Sequence, residues 1–207
     1  MNTTQQAPTR SAVLELKAER IVVTEAYDFL DEKRLLLAAE LLRQLAEYDR
    51  LHGQLERLRE QAVSALARAI AQHGLQGLGV YPAAVLETVG FEMETRNFMG
   101  VMLAATRLQL AQDNEADGAA CPSSEARSCQ EAFRQLLEVS SQLAGISGNL
   151  YRLLAEYRLT ERRARALENV ILPEIAQALR VMTSHLEELE FEDAVRVRVH
   201  SKVIASS

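Results

Sequence analysis

The sequence predicts an all-α fold: a long antiparallel two-helix coiled coil with a small mid-chain insert that contains a short β-hairpin. Three observations lead there. From about Pro8 to His73 the chain has no internal proline and a single glycine, Gly53. Over that span apolar residues recur at alternating steps of three and four, through Val13, Leu16, Val23, Tyr27, Leu30, Leu37, Leu41, Tyr48, Leu51, Leu55, Leu58, Ala62, Ala65 and Ala69, with Arg20, Arg34 and Gln44 as the polar breaks. A second seam runs through Leu143, Ile146, Leu150, Leu153, Tyr157, Ala164, Leu167 and Ile171, then on through Ile175, Ala178, Met182, Leu186 and Leu189. A seven-residue repeat stays on one side of a helix only if the helix supercoils around a partner. Two such seams joined by a compact connector fold back most simply on each other.

The first helix is expected over 8–73. Thr9 or Ser11 can satisfy its free amide groups, and Gly53 weakens its interior by about 1 kcal/mol, too little to break it. The insert, 74–124, opens where Gly74, Gly77, Gly79, Pro82, Gly90 and Gly100 follow in quick succession. Within it Val89, Phe91, Met93 and Thr95 alternate with Gly90, Glu92, Glu94 and Arg96, the period of a strand. A turn at Arg96-Asn97 would lead to a second short strand over Phe98–Leu103. A solvated loop, about Gln112 to Ser124, precedes the second long helix, 125–193, for which Ser123 or Ser124 is the expected cap. Pro173 lacks an amide hydrogen and crowds the preceding turn, so it should kink or loosen that helix, the alternative being a helix end at Leu172. The last segment, 194–207, reads as a tail in which Val195, Val197, Val199 and Val203 alternate as in a strand or an extended tip. The whole is expected as one elongated domain, 1–207, with Leu30 near Ile175 across the pair.

Composition fits a seam better than a globular core: of 207 residues, 48% are hydrophobic but only 5% aromatic, and tryptophan is absent. A formal net charge of −6 argues against nucleic acid, whose phosphates demand a basic face. No apolar run is long enough to span a bilayer, and Met1–Gln6 has neither the basic start nor the apolar stretch of an export signal. A cytoplasmic protein is the expectation, with Cys121 and Cys129 as free thiols.

Searching for chemistry finds little. No glycine-rich loop ending in lysine and a hydroxyl residue is present to wrap phosphates. The histidines His52, His73, His185 and His200 stand far apart, and only Asp49 with His52 has the spacing of helical metal ligands, well short of a carboxylate-bridged di-iron set. Catalytic residues, a cofactor and a metal site are therefore not expected. Glu187, Glu188, Glu190, Glu192 and Asp193 give way to Arg196, Arg198, His200 and Lys202, a reversal of sign that suits either a partner or plain solvent.

Three stretches carry a family resemblance. Pro8-Thr9-Arg10-Ser11-Ala12-Val13-Leu14-Glu15-Leu16-Lys17 with Phe29-Leu30-Asp31-Glu32-Lys33-Arg34, then Glu92-Met93-Glu94-Thr95-Arg96-Asn97-Phe98-Met99-Gly100-Val101, then Arg162-Arg163-Ala164-Arg165-Ala166-Leu167-Glu168-Asn169-Val170-Ile171-Leu172-Pro173 occur in this order. Together they resemble the D subunit of V-type and archaeal-type ATPases. Departures include a tail poor in lysine and arginine and Ala104-Ala105 where a proline is common. The resemblance implies the central stalk of a rotary ATPase, a rotor shaft that transmits torque and has no catalytic residues of its own. The implied partners are the catalytic A and regulatory B subunits of the hexamer, the small F subunit of the stalk, and the socket subunit, C or d, above the membrane rotor ring. The implied contact residues are Thr9, Arg10, Lys33, Arg34, Arg96, Asn97, Gly100, Arg162, Arg163 and Pro173. Two other classes are compatible with the periodicity alone: a coiled-coil scaffold or prefoldin-like chaperone, and a metal-dependent helical-bundle enzyme.

Overall fold

The structure is a computed structural model and describes residues 9–78, 90–109 and 123–205. Its elements are α1 (Arg10–Leu78), β1 (Gly90–Phe98), β2 (Val101–Gln109), α2 (Ser124–Ala166), a π-helical turn (Leu167–Ile171) and α3 (Leu172–Ala205). Two compact units share these elements. One comprises Met1–Leu35 with Arg158–Ser207, the other Leu36–Tyr157.

Along α1 the apolar seam is what the fold buries. Every seam position from Val13 to Ala69 is buried or half-buried except Arg20, and Gln44, one of the polar breaks, is buried too. Thr9 supplies the amino-terminal cap: its Oγ1 accepts the Ala12 amide at 3.2 Å, while its carbonyl accepts that of Val13 at 3.1 Å. Regular geometry stops at Gly74, where φ 69 and ψ 164 lie outside what a side chain tolerates, and one further turn reaches Leu78.

In the first unit Ala12, Val13 and Leu16 of α1 form a core with Ile175, Leu179 and Met182 of α3, and Val23 and Ile171 pack onto it. Arg10 reaches Glu190 beyond that core, so the helices run antiparallel. Ile175 thus lies near Leu16 and not near Leu30: the register is shifted by about ten residues, or ~15 Å, from the one expected.

In the second unit Leu37 of α1, Leu153 of α2, and Val101 and Leu103 of β2 form one buried cluster, with Leu41, Phe98, Met99 and Tyr157 against it. Elsewhere in the unit His73 Nε2 meets Ser123 Oγ at 2.6 Å, and the same hydroxyl accepts the Ala126 amide at 3.1 Å, so Ser123 is the cap of α2.

The hairpin pairs β1 with β2 antiparallel, Phe98 opposite Val101 and Gly90 opposite Gln109. Its turn is Met99-Gly100 and not Arg96-Asn97, and the second strand starts at Val101. Both turn residues have positive φ, 51 and 88, as a two-residue mirror-type turn requires to match strand twist, and glycine meets that demand at the second position. Asn97 locks the turn from the side, its Oδ1 accepting the Gly100 amide at 3.0 Å.

Pro173 does not end the second helix. The chain passes from α2 to α3 through the π turn, in which Leu172 donates to the Leu167 carbonyl five residues back. Widening the turn moves the Asn169 carbonyl away from the proline ring, which is the loosening that proline demands. Nor does the helix stop at Asp193: α3 continues to Ala205, placing Val195, Val197 and Val199 on a helix surface and not along a strand. Residues 1–8, Gly79, Pro82, Val89, most of the Gln112–Ser124 loop and Cys121 lie outside the described residues, and with Cys121 the question of its pairing. No helix among the described residues is long and apolar enough to cross a membrane.

Candidate functional site

The hairpin of the second unit is held by polar groups of α1 and α2. Antiparallel pairing turns the backbone groups of alternate residues outward. On the free side of β2 these are Met102, Ala104 and Thr106, and α2 satisfies each of them or anchors beside it. Asn149, buried in α2, brackets Ala104: its Oδ1 accepts the Ala104 amide at 2.8 Å and its Nδ2 donates to the Ala104 carbonyl at 2.8 Å. Arg152 Nη1 donates to the Met102 carbonyl at 3.1 Å and to Asn149 Oδ1 at 3.0 Å. The Thr106 hydroxyl donates to the Ser141 carbonyl at 2.6 Å. A side-chain amide therefore does the work of a third strand, and an edge that would otherwise invite foreign pairing is closed. Such proximity requires a residue without a side chain on α2. At Gly145 a Cβ would collide with Thr106 Oγ1 and stand only 3.1 Å from Thr106 Cγ2.

The other anchor comes from α1. Glu40 is buried, accepting from Arg43 at 2.7 and 2.8 Å, from Gln44 at 3.0 Å, and from Arg96 of β1 at 2.6 Å. Hydrogen bonding from Arg43, strengthened by Gln44 and the charges of Arg43 and Arg96, overcomes burial and holds the Glu40 carboxyl down at about 2. Arg96 also lies over the Phe98 ring, 5.8 Å from its centre. The stretch Arg96-Asn97-Phe98-Met99-Gly100 is thus one device: the arginine reaches the helix, the asparagine fastens the turn, and Met99-Gly100 make it. Outside the device, β1 is exposed along both faces, including Phe91 and Met93.

Further along the same helix pair, Leu41, Leu42, Leu45 and Tyr48 of α1 and Ser147, Leu150, Tyr151 and Leu154 of α2 line an open apolar groove of about 350 Å³. His52 stacks on Tyr48, ring centres 5.8 Å apart. Among the described residues no group of three or more histidine, cysteine, aspartate or glutamate side chains could hold a metal ion.

The residues singled out by resemblance fall in both units. Arg96, Asn97 and Gly100 meet in the hairpin. Thr9 caps α1, and Arg10 pairs with Glu190 at 2.5 Å between two exposed side chains, a contact of little energetic weight. Arg34 Nη2 is 2.6 Å from Asp31 Oδ1, off the direction of a hydrogen bond, and Lys33 beside it is half-buried. Arg162, Arg163 and Pro173 lie around the end of α2 and the π turn, all three exposed. Facing that turn, the Tyr27 hydroxyl is pushed above its usual range by the charge of Glu168 first, then by burial and Asp31. Sequence reasoning missed Glu40 and Asn149. The i, i+3 and i, i+4 spacing of Glu40 to Arg43 and Gln44 was a visible signal for the first, whereas nothing local marks Asn149.

Comparison with known proteins gives the same answer along almost the whole chain. Residues 12–202 match the family model described as the ATP synthase D subunit. The V-type ATP synthase D subunit of Thermotoga neapolitana is 27% identical over 192 residues, covering 93% of this chain and 95% of the relative. The A-type ATP synthase D subunit of Pyrococcus horikoshii is 29% identical over 194 residues, 92% of this chain and 91% of the relative, and that of Methanoregula boonei is 29% identical over 92% and 93%. The chain belongs to the family of ATP synthase D subunits.

Proposed function

We propose that the chain is the central-stalk subunit of a V/A-type rotary ATPase, carrying torque between a catalytic hexamer and a membrane ion-translocating rotor. The observation that carries the reading is the family match over residues 12–202 on a chain whose long helices bury their apolar seams. In a shaft, twist must be costly along its length. Knobs packed into holes supply that cost, because interiors at crystal-like density resist deformation. A helix pair of unlike sequences also presents different faces around a ring, so turning it biases successive sites in order.

In this reading the chain has no catalytic residues and needs no cofactor. ATP chemistry belongs to the A and B subunits, and the chain couples it to proton or sodium transport in either direction. The remaining partners are the small F subunit and a socket subunit, C or d, on the cytoplasmic side of the membrane. Partner contact is supported by the number of large apolar side chains left in solvent, among them Leu42 at 68% and Tyr151 at 75% exposure. Lys33, Arg162, Arg163 and Pro173 are the proposed contact residues of the first unit. Thr9, Arg10, Arg34, Arg96, Asn97 and Gly100 are proposed as contact residues too, beside the internal contacts described above.

The test is recovery of the tagged chain from its native cell. Stoichiometric catalytic and regulatory ATPase subunits are expected with it. An active ATPase complex from that cell that lacks the chain would overturn the reading.

A further inference from the structure

The π turn counts residues. Upstream of it the second seam alternates in steps of three and four through Tyr157, Thr160, Ala164, Leu167 and Ile171, all buried or half-buried. Continuing that alternation would place the next two seam residues at Glu174 and Ala178. Glu174 is exposed and Ala178 only half-buried against the core, and the fully buried residues are Ile175 and Leu179, each one position later. The turn between, Leu167–Ile171, closes through Leu172 donating five residues back, so it holds one residue more than an α-turn. Excess and bulge coincide.

We infer that this π turn sets the rotational phase of α3, absorbing a one-residue excess so that Ile175, Leu179 and Met182 face Ala12, Val13 and Leu16. Without it, every residue from Leu172 onward would be rotated by about 100° around the helix axis. Leu179 would leave the core for solvent and Glu174 would turn toward it. Pro173 pins the bulge to this place, because an ordinary α-turn there would drive its ring into the Asn169 carbonyl. No residue of the turn is fully buried, Leu167 and Ile171 being half-buried, so it can hold the extra residue outside the core proper. Caps on both sides stay in ordinary helical geometry, φ −67 and ψ −40 at Ala166, φ −62 and ψ −43 at Leu172, so the correction is confined to the one turn.

Single-residue deletions test this. In a full-length chain with Cys121 and Cys129 replaced by serine, cysteines introduced at Leu16 and Leu179, which share one core, report the phase of α3 by disulfide yield. Deleting exposed Asn169 together with Pro173→Ala removes both the excess and the pin, so a plain α-helix reaches the same phase. The yield should stay within about twofold. Deleting Gln177, beyond the turn and outside the core, should lower it at least tenfold, because Leu179 then points away. Pro173→Ala alone should keep the yield, since the residue count is unchanged. Equal loss in the Asn169 and Gln177 deletions, equal tolerance of both, or loss in Pro173→Ala alone would each overturn the inference.

Discussion

Replacing Asn149 with alanine removes the side chain that completes the β2 edge, and its cost follows from the bonds it makes. Two hydrogen bonds to Ala104, both 2.8 Å, and one from Arg152 at 3.0 Å disappear. Each is worth about 1 kcal/mol net, and a buried backbone group left unpaired adds about 1–3 kcal/mol. Ala104 is itself buried, so both its amide and its carbonyl lose their partners in a place water reaches poorly. A water that fills the gap restores most of what the two Ala104 groups lose and leaves a cost of about 2–4 kcal/mol for the second unit, and with the gap dry the sum rises to about 5–9 kcal/mol. Urea unfolding followed by circular dichroism measures the total, and amide hydrogen exchange localises it. The Ala104 amide should exchange at least about 30-fold faster, the equivalent of ~2 kcal/mol. Asn149→Asp, which keeps the acceptor but loses the donor, should fall between. A change below about 0.5 kcal/mol, with exchange at Ala104 unaltered, would refute the idea that this amide stands in for a strand.

Glu40 makes stability depend on acid. Its carboxyl is held at about 2 in the folded chain against an ordinary value of 4.5, so its contribution is complete above about pH 4.5 and is lost as pH falls from there toward 2. Glu40→Gln should flatten that part of a pH–stability profile and cost about 2–3 kcal/mol at neutral pH, and an unchanged profile would count against the anchor. Gly145→Ala should destabilise by about 1–3 kcal/mol in thermal melts, because the new methyl must displace Thr106, with partial rescue by Thr106→Ala. Gly53→Ala, with nothing within 4 Å of the added carbon, should instead stabilise α1 by up to about 1 kcal/mol.

Periodicity made the two seams legible residue by residue, since burial along a helix pair is dictated by which side chains share a face. It did not reveal register, because sliding one seam past another keeps apolar residues opposite apolar residues. Ile175 against Leu16 was settled by the particular core that those side chains form. Pro173 announced a disturbance, and the form it took depended on the one-residue excess between Ile171 and Ile175. The hairpin was legible from the alternation before Arg96, but its turn was set by which neighbours could adopt positive φ, a demand that favours Gly100 over Asn97. Asn149 had no local signal at all: a polar residue on a helix becomes a strand's partner only when tertiary packing brings an open edge to it.

The claim most exposed to measurement is that the chain turns against its neighbours while ATP is consumed or made. In the assembled complex, a cysteine introduced at exposed Val197 of α3 can be joined reversibly to a cysteine on a surrounding subunit. ATP hydrolysis should stop in the oxidised complex and return when the bond is reduced, whereas undiminished hydrolysis with the chain covalently fixed would contradict a rotor.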